Sequence, residues 1–136
     1  MYNCDILVKM KLFILLLTLA VDASLAQQAF QEEPQYHEVN PGGSVVLPCI
    51  IVNIGGECRW EKDGDPSGMF EGKYEWAGDH KKGDCSIRII DAALEYDNAV
   101  WQCSVTPSSF RAKDALTSQG AQLVVRGKRF IHIILL

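Results

Sequence analysis

Residues 97–103 read Asp-Asn-Ala-Val-Trp-Gln-Cys, and this run decides the fold. Trp101, Cys103 and Val105 alternate with more polar neighbours, which is the two-residue period of a β-strand that is buried on one face. Upstream, Val45, Leu47 and Cys49 alternate in the same way, and Cys58 shares a face with Trp60. The sequence therefore predicts β-strands whose cysteines and tryptophans point into one core.

The spacing of Cys49, Trp60 and Cys103 resembles the pattern of the immunoglobulin (Ig) superfamily, in which D-x-G-x-Y-x-C closes strand F. The resemblance implies an all-β, Ig-like (variable-type) two-sheet Greek-key sandwich whose sheets are joined across a buried indole. In that frame, Cys49 lies on strand B, Trp60 on strand C and Cys103 on strand F. Alternation along the rest of the chain then predicts a C′ segment around Met69 and Phe70, strand D at 73–76, strand E with Cys85, Ile87 and Ile89, and strand G with Ala121, Leu123 and Val125.

The amino-terminal residues are typical of a secretory leader. Lys9 and Lys11 precede an apolar run that begins at Leu12, and Ser24-Leu25-Ala26 presents small residues at the two positions that signal peptidase reads. We predict a signal peptide at 1–26 and a single domain at 27–126, outside the cell. The alternative is an uncleaved anchor, which needs roughly 20 apolar residues.

Cleavage after residue 26 removes Cys4 and leaves four cysteines, and an even number in an exported chain predicts two disulfides. Four cysteines allow three connectivities. In the Ig frame only Cys49–Cys103 with Cys58–Cys85 sends both bonds between inward positions on opposing sheets. The alternative of a zinc site lacks a C-x-x-C pair and conflicts with the leader.

Three further residues have expected structural roles. Lys73 stands where a basic residue of variable-type sandwiches pairs with the acid before strand F, here Asp97. Trp101 replaces the tyrosine whose hydroxyl forms the tyrosine corner. An indole can donate a hydrogen bond from its N–H but cannot accept one.

Several stretches are similar to the first Ig domain of the nephrin and irregular-chiasm (roughest-like) adhesion proteins: Arg59-Trp60-Glu61-Lys62-Asp63, Gly72-Lys73-Tyr74, Gly83-Asp84-Cys85-Ser86-Ile87 and Trp101-Gln102-Cys103. The extra cysteines, Cys58 and Cys85, look more like the first domain of fasciclin III, another adhesion molecule. The resemblance covers roughly residues 33–126.

What the resemblance implies is binding of another Ig domain, on the same kind of molecule or a different one, through the outer face of strands G, F, C and C′. Residues that alternate outward there are Arg59, Glu61, Gln102, Ser104 and Gln122, and the apolar groups expected to anchor the contact are Met69, Phe70 and Phe110. The alternative for the polar residues is simple solvation, and Met69 or Phe70 could instead close the edge of the core.

Composition argues against other classes of function. Lys and Arg number 13 against 17 Asp and Glu, a formal charge of −4, so a basic face for nucleic acid or anionic lipid is not expected. The three histidines, His37, His80 and His132, lie near no serine that could act with them, and the cysteines are committed to disulfides. We expect no enzyme activity, metal or cofactor.

Residues 127–136 do not continue the domain pattern. Gly127-Lys128 is what GGTAAG encodes, the start of an intron, so we hypothesise that this short tail comes from a retained intron and that the chain is a truncated form of a longer receptor. Seven apolar-rich residues, 130–136, are too few to span a bilayer. The alternative function is a freely secreted binding protein, such as an immune or decoy factor.

Overall fold

The computed structural model describes residues 3–25 and 27–127. In chain order the elements are α1 (Cys4–Leu25), β1 (Ala29–Glu32), β2 (His37–Val39), β3 (Val45–Leu47), β4 (Ile50–Val52), β5 (Cys58–Lys62), β6 (Asp65–Ser67), β7 (Tyr74–Trp76), a 3₁₀ turn (His80–Lys82), β8 (Ile87–Ile89), α2 (Leu94–Asp97), β9 (Ala99–Val105), β10 (Leu116–Thr117) and β11 (Ala121–Val125).

Helix α1 covers the stretch predicted to be the leader. In the described ranges, no helix has both the length and the apolar character needed to cross a bilayer. The expected cleavage site follows Ala26, which lies outside the described residues. The expected tail, 127–136, also lies outside them except for Gly127. These two assignments therefore stay predictions.

The strands form two layers. The back layer pairs β3 with β8 and β8 with β7, while β1 pairs with β4. Pro48 interrupts the strand between β3 and β4 because it has no N–H to donate, and the Cys85 amide, which donates to the Cys49 carbonyl at 2.8 Å, keeps the two parts in one layer. The front layer has the order β2-β11-β9-β5-β6, with β2 parallel to β11 and the other pairs antiparallel. This is the Ig sandwich that the sequence predicts.

The predicted inward residues fill the core. Trp60 and Trp101 are fully buried with ring centroids 6.5 Å apart in an edge-to-face arrangement, a geometry that aromatic quadrupoles favour. Cys49 is bonded to Cys103 and Cys58 to Cys85, with Cα atoms 6.5 Å and 5.8 Å apart. The predicted pairing is confirmed, and both bonds tie the front layer to the back layer.

The predicted position of C′ was wrong. Asp63 and Gly64 both have positive φ, 51° and 83°, which is the type I′ turn that closes the tightest hairpins. The turn places Asp65 directly opposite Lys62, so C′ forms at 65–67. Phe70 instead pairs with Tyr74 at the edge of the back layer. The loop between β6 and β7 leaves no room for the C″ strand of larger variable domains.

The buried carboxylate of Asp97 stabilises one end of the sandwich. This end carries the β5–β6 turn and α2 and is called the lower end. The Asp97 carboxylate is 0% exposed and accepts hydrogen bonds from Lys73 Nζ at 2.6 Å, the Tyr74 hydroxyl at 2.6 Å and the Ala93 amide at 2.7 Å. Burial acts to raise the pKa of Asp97, but these bonds outweigh it, and the pKa is lowered. Burial, and then the nearby Asp97, raise the pKa of Tyr74.

Trp101 keeps the corner that a tyrosine makes in related folds. Its indole Nε1 donates to the carbonyl of Asp97 at 3.1 Å. The bond runs back four residues, as the tyrosine hydroxyl bond does. Trp101 therefore supplies a buried hydrogen-bond donor to the backbone just before β9.

Candidate protein-binding face

Strands β5 and β9 bring four of the expected binding residues together on the outer surface of the front layer. Arg59 lies opposite Ser104, and Glu61 lies opposite Gln102, in alternate rungs of the antiparallel ladder, with Trp60 opposite Cys103 between them. Since Trp60 and Cys103 between them are buried, these four side chains all point away from the core. Directly opposed side chains stand about 5 Å apart, so the four form one continuous patch.

Two glutamines on this surface are half-buried and already hydrogen-bonded within the domain. Gln102 Nε2 donates to the carbonyl of Ser118 at 3.1 Å, and Gln122 Nε2 donates to the carbonyls of Ala99 and Leu123 at 3.2 and 3.0 Å. Their amide nitrogens are thus fixed by the fold. A fixed polar side chain loses less conformational entropy when a partner binds it.

Val100 extends the face, and it was missed in the sequence prediction. It lies opposite Gln122 and is 39% exposed. The alternation of β9 that places Gln102 and Ser104 outward also places Val100 outward, so the signal was present. The face therefore has an apolar position near its lower end.

Phe110 projects at the opposite, upper end, where the β4–β5 and β9–β10 loops lie. Its side chain is fully exposed at the tip of a turn that the Ala112 amide closes onto Ser109. Beside it lies an open groove of about 450 Å³, lined by Arg59, Thr106, Pro107, Ser109, Phe110 and Ala112. The groove links the aromatic ring to the patch on β5 and β9.

Met69 and Phe70 lie away from that patch. Met69 is half-buried and packs against the core, while Phe70 is 60% exposed with its ring centroid 6.4 Å from that of Tyr74. Phe70 thus lies beside the lower end of the sandwich. The structure groups Arg59, Glu61, Gln102, Ser104, Gln122 and Phe110, and sets Met69 and Phe70 apart.

The charges on the face are unevenly distributed. Arg59, Arg111 and Lys113 lie at the upper end, around the groove and its loop, whereas Asp63 and Asp65 lie at the β5–β6 turn. At the edge of the front layer, Arg126, which follows β11, forms an ion pair with Glu38 on β2. A hydrogen bond from the Tyr36 hydroxyl, followed by those from Arg126, lowers the pKa of Glu38. That pair is already satisfied within the domain.

Comparison with known proteins identifies the group of domains to which this one is similar. No family model matches the chain. It is 32% identical over 108 residues to the rat protein Kin of IRRE-like protein 1, and 36% identical over 109 residues to the Irregular chiasm C-roughest protein of Drosophila melanogaster. These alignments cover 76% and 75% of this chain but 14% of each relative, so the chain spans a small part of their length.

Solved structures agree with the sequence matches. The crystal structure of Duf (Kirre) D1 superposes with a TM-score of 0.65 at 31% identity, covering 73% of this chain and 96% of that one. The Rst D1-D2 structure also gives 0.65, at 33% identity, covering 73% of this chain and 49% of that one. The chain belongs to the immunoglobulin superfamily, and its domain is a relative of the first Ig domains of Kirre and roughest.

Proposed function

We propose that this domain is an extracellular recognition module that binds another Ig-type domain through the outer surface of β11, β9, β5 and β6. The two disulfides suit an oxidising compartment, and the predicted leader sends the chain there. The domain-level similarity to Kirre D1 and Rst D1-D2 supports a role in cell adhesion.

The proposal rests on three features that meet at the upper end of the face: an exposed aromatic ring, a groove and a polar patch. A fully exposed phenylalanine on a tight turn adjoins a groove with a cationic wall, and a polar patch continues from it. Aromatic residues and arginine are enriched at protein interfaces, where a few such groups supply most of the binding free energy. If this surface contacted only water, a fully exposed aromatic side chain would have no role there.

The face is largely polar, and this composition sets the expected strength of binding. Interfaces of this composition depend on a few anchors with a rim of hydrogen bonds. Truncating one central anchor costs about 2 kcal/mol or more, which is about 30-fold in affinity. We therefore expect single substitutions on the face to weaken binding measurably without unfolding the domain.

Bead aggregation and surface plasmon resonance test the proposal, with Kirre D1, Rst D1-D2 and a second copy of this chain as binding partners. Gln102→Arg is expected to weaken binding because it replaces a fixed amide with a long cation. Phe70→Asp tests whether the interface reaches the lower end. Arg88→Glu, on an exposed position of the back layer, is the control. If Gln102→Arg and Arg88→Glu bind alike at unchanged melting temperature, the assigned face is incorrect.

A further inference from the structure

Gln28 is a buried glutamine that joins three separate parts of the chain. It precedes β1 and is 2% exposed. Its Nε2 donates to the carbonyls of Thr106 and Asp114, both at 2.8 Å, and its Oε1 accepts from the amides of Gly55 and Gly56, both at 3.1 Å. One side chain thus holds the β4–β5 loop on one side and both ends of the β9–β10 loop on the other.

The chemistry of these partners fixes the orientation of the amide. Backbone N–H groups can only donate and carbonyl oxygens can only accept, so a Gln28 amide turned by 180° would lose all four bonds. A glutamine side chain has two donor hydrogens and two acceptor lone pairs on its oxygen. All four are used, which means that Gln28 is fully satisfied where it stands and that no other residue type of similar length matches the site.

The two loops that Gln28 joins also touch each other. The Glu57 amide donates to Thr106 Oγ1 at 2.9 Å, and the Thr106 amide donates to the Glu57 carbonyl at 3.0 Å. A Cβ on Gly56 would fall 1.9 Å from the Thr106 carbonyl oxygen, so only glycine permits this approach. The β4–β5 loop is therefore a rigid support against which the β9–β10 loop rests.

Hydrogen bonds between Ser108 and Asp114 close the β9–β10 loop further towards its tip. Asp114 accepts from the Ser108 amide at 2.8 Å and from the Ser108 hydroxyl at 2.7 Å. The bond from the Ser108 hydroxyl, followed by that from its amide, lowers the pKa of Asp114. Phe110 and Arg111 lie between Ser108 and Asp114, within the segment that these hydrogen bonds close. The position of the exposed ring therefore depends on where residues 106 and 114 are held.

We infer that Gln28 is a positioning residue for partner binding: its buried amide holds the β9–β10 loop in the conformation that presents Phe110 and the groove beside Arg59. The inference rests on the proposed function, since it assigns a role within that same face. Gln28 touches no partner itself. It acts by raising the fraction of molecules whose loop is ready to bind, and the apparent affinity scales with that fraction.

Gln28→Glu is the selective test. The carboxylate can still accept from Gly55 and Gly56, but it has lost both donors and faces two carbonyl oxygens. We expect amide exchange of residues 108–114 to rise about tenfold while Gly55 and Gly56 stay protected, and trypsin to cut faster after the exposed Arg111 and Lys113. A loop that is competent one tenth of the time gives an association rate about tenfold lower, with the dissociation rate nearly unchanged.

The control is Val39→Ala, which removes buried methyl groups at the lower end of the sandwich. It should lower the melting temperature but leave loop exchange, tryptic cleavage in the loop and the association rate as in the parent chain. This separates positioning from general stability. All variants are made in the full chain and secreted with its own leader, and Kirre D1, Rst D1-D2 and the chain itself serve as the binding probes.

Three results would overturn the inference. Unchanged exchange of residues 108–114 in Gln28→Glu means that the amide does not hold the loop. Faster exchange with an unchanged association rate means that the loop conformation does not govern binding, while the proposed function stands. Failure of the unsubstituted chain to bind any of the three probes removes the proposed function itself, and with it the face that Gln28 would serve.

Discussion

Substituting Asp97 by asparagine should destabilise the domain strongly, because this carboxylate accepts three hydrogen bonds and joins the start of β7 to α2 at the lower end. It accepts from Lys73, Tyr74 and the Ala93 amide, and no part of it is exposed. Removing one partner of a buried ion pair costs about 3–5 kcal/mol. The Lys73 side chain is 30% exposed and also donates to the carbonyls of Ile90 and Asp91, so its ammonium keeps some partners and the lower figure, about 3 kcal/mol, applies.

For a domain of about 100 residues, each kcal/mol moves the melting temperature by roughly 4–8 °C, so Asp97→Asn should lower it by about 15 °C. Calorimetry and urea titration of the purified chain measure this, and an unchanged urea m-value shows that the folded state is otherwise intact. Tyr74→Phe, which deletes a single hydroxyl bond, is the matched comparison and should cost about half as much. A loss below about 1 kcal/mol for Asp97→Asn would refute the reasoning that the carboxylate carries this end of the fold.

Three further predictions concern stability. The pKa of Asp97 is lowered in the folded state, so its contribution to the free energy of unfolding is present above the unfolded pKa of about 3.9 and is lost as the pH falls below that value. Urea titrations from pH 7 to pH 2 should therefore show that the stability of Asp97→Asn falls less steeply in acid than that of the parent chain. Parallel curves for the two proteins would contradict this. Trp101→Phe should be less stable than Trp101→Tyr by about 1 kcal/mol, because only tyrosine can restore a hydrogen bond to the corner carbonyl; equal urea midpoints would argue against that bond. Replacing Cys58 and Cys85 together by alanine should cost about 3.5 kcal/mol, since the bond closes a 27-residue loop. Calorimetry showing no loss would mean that the bond does not constrain the unfolded chain.

The sequence was sufficient for the parts of the fold that depend on local alternation. The burial of Leu47, Trp60, Cys103 and Leu123 follows from the two-residue period, and the disulfide pairing follows once the strands are assigned to layers. The face could be predicted for the same reason, because residues between buried positions must point outward. Val100 belongs to that class and could have been included.

The remaining features depend on contacts between distant residues or on turn geometry. The position of C′ depends on the geometry of the Asp63-Gly64 turn, which returns the chain at once and pairs Asp65 with Lys62; strand alternation does not report this. Gln28 lies 78 and 86 residues from its two carbonyl partners. No periodicity marks such a residue, since its role appears only when the loops meet in three dimensions.

The claim that the outer surface of the front layer recognises a partner is tested most directly by comparing two apolar-to-aspartate substitutions on opposite layers. Phe110→Asp changes the exposed ring beside the groove, and Val46→Asp changes a 40% exposed valine on the outer surface of the back layer. Dissociation constants for Kirre D1 or Rst D1-D2 are measured by surface plasmon resonance alongside melting curves. We predict that Phe110→Asp weakens binding about 30-fold while Val46→Asp binds as the parent chain does. Equal affinities for the two variants, or a loss confined to Val46→Asp, would contradict the assignment.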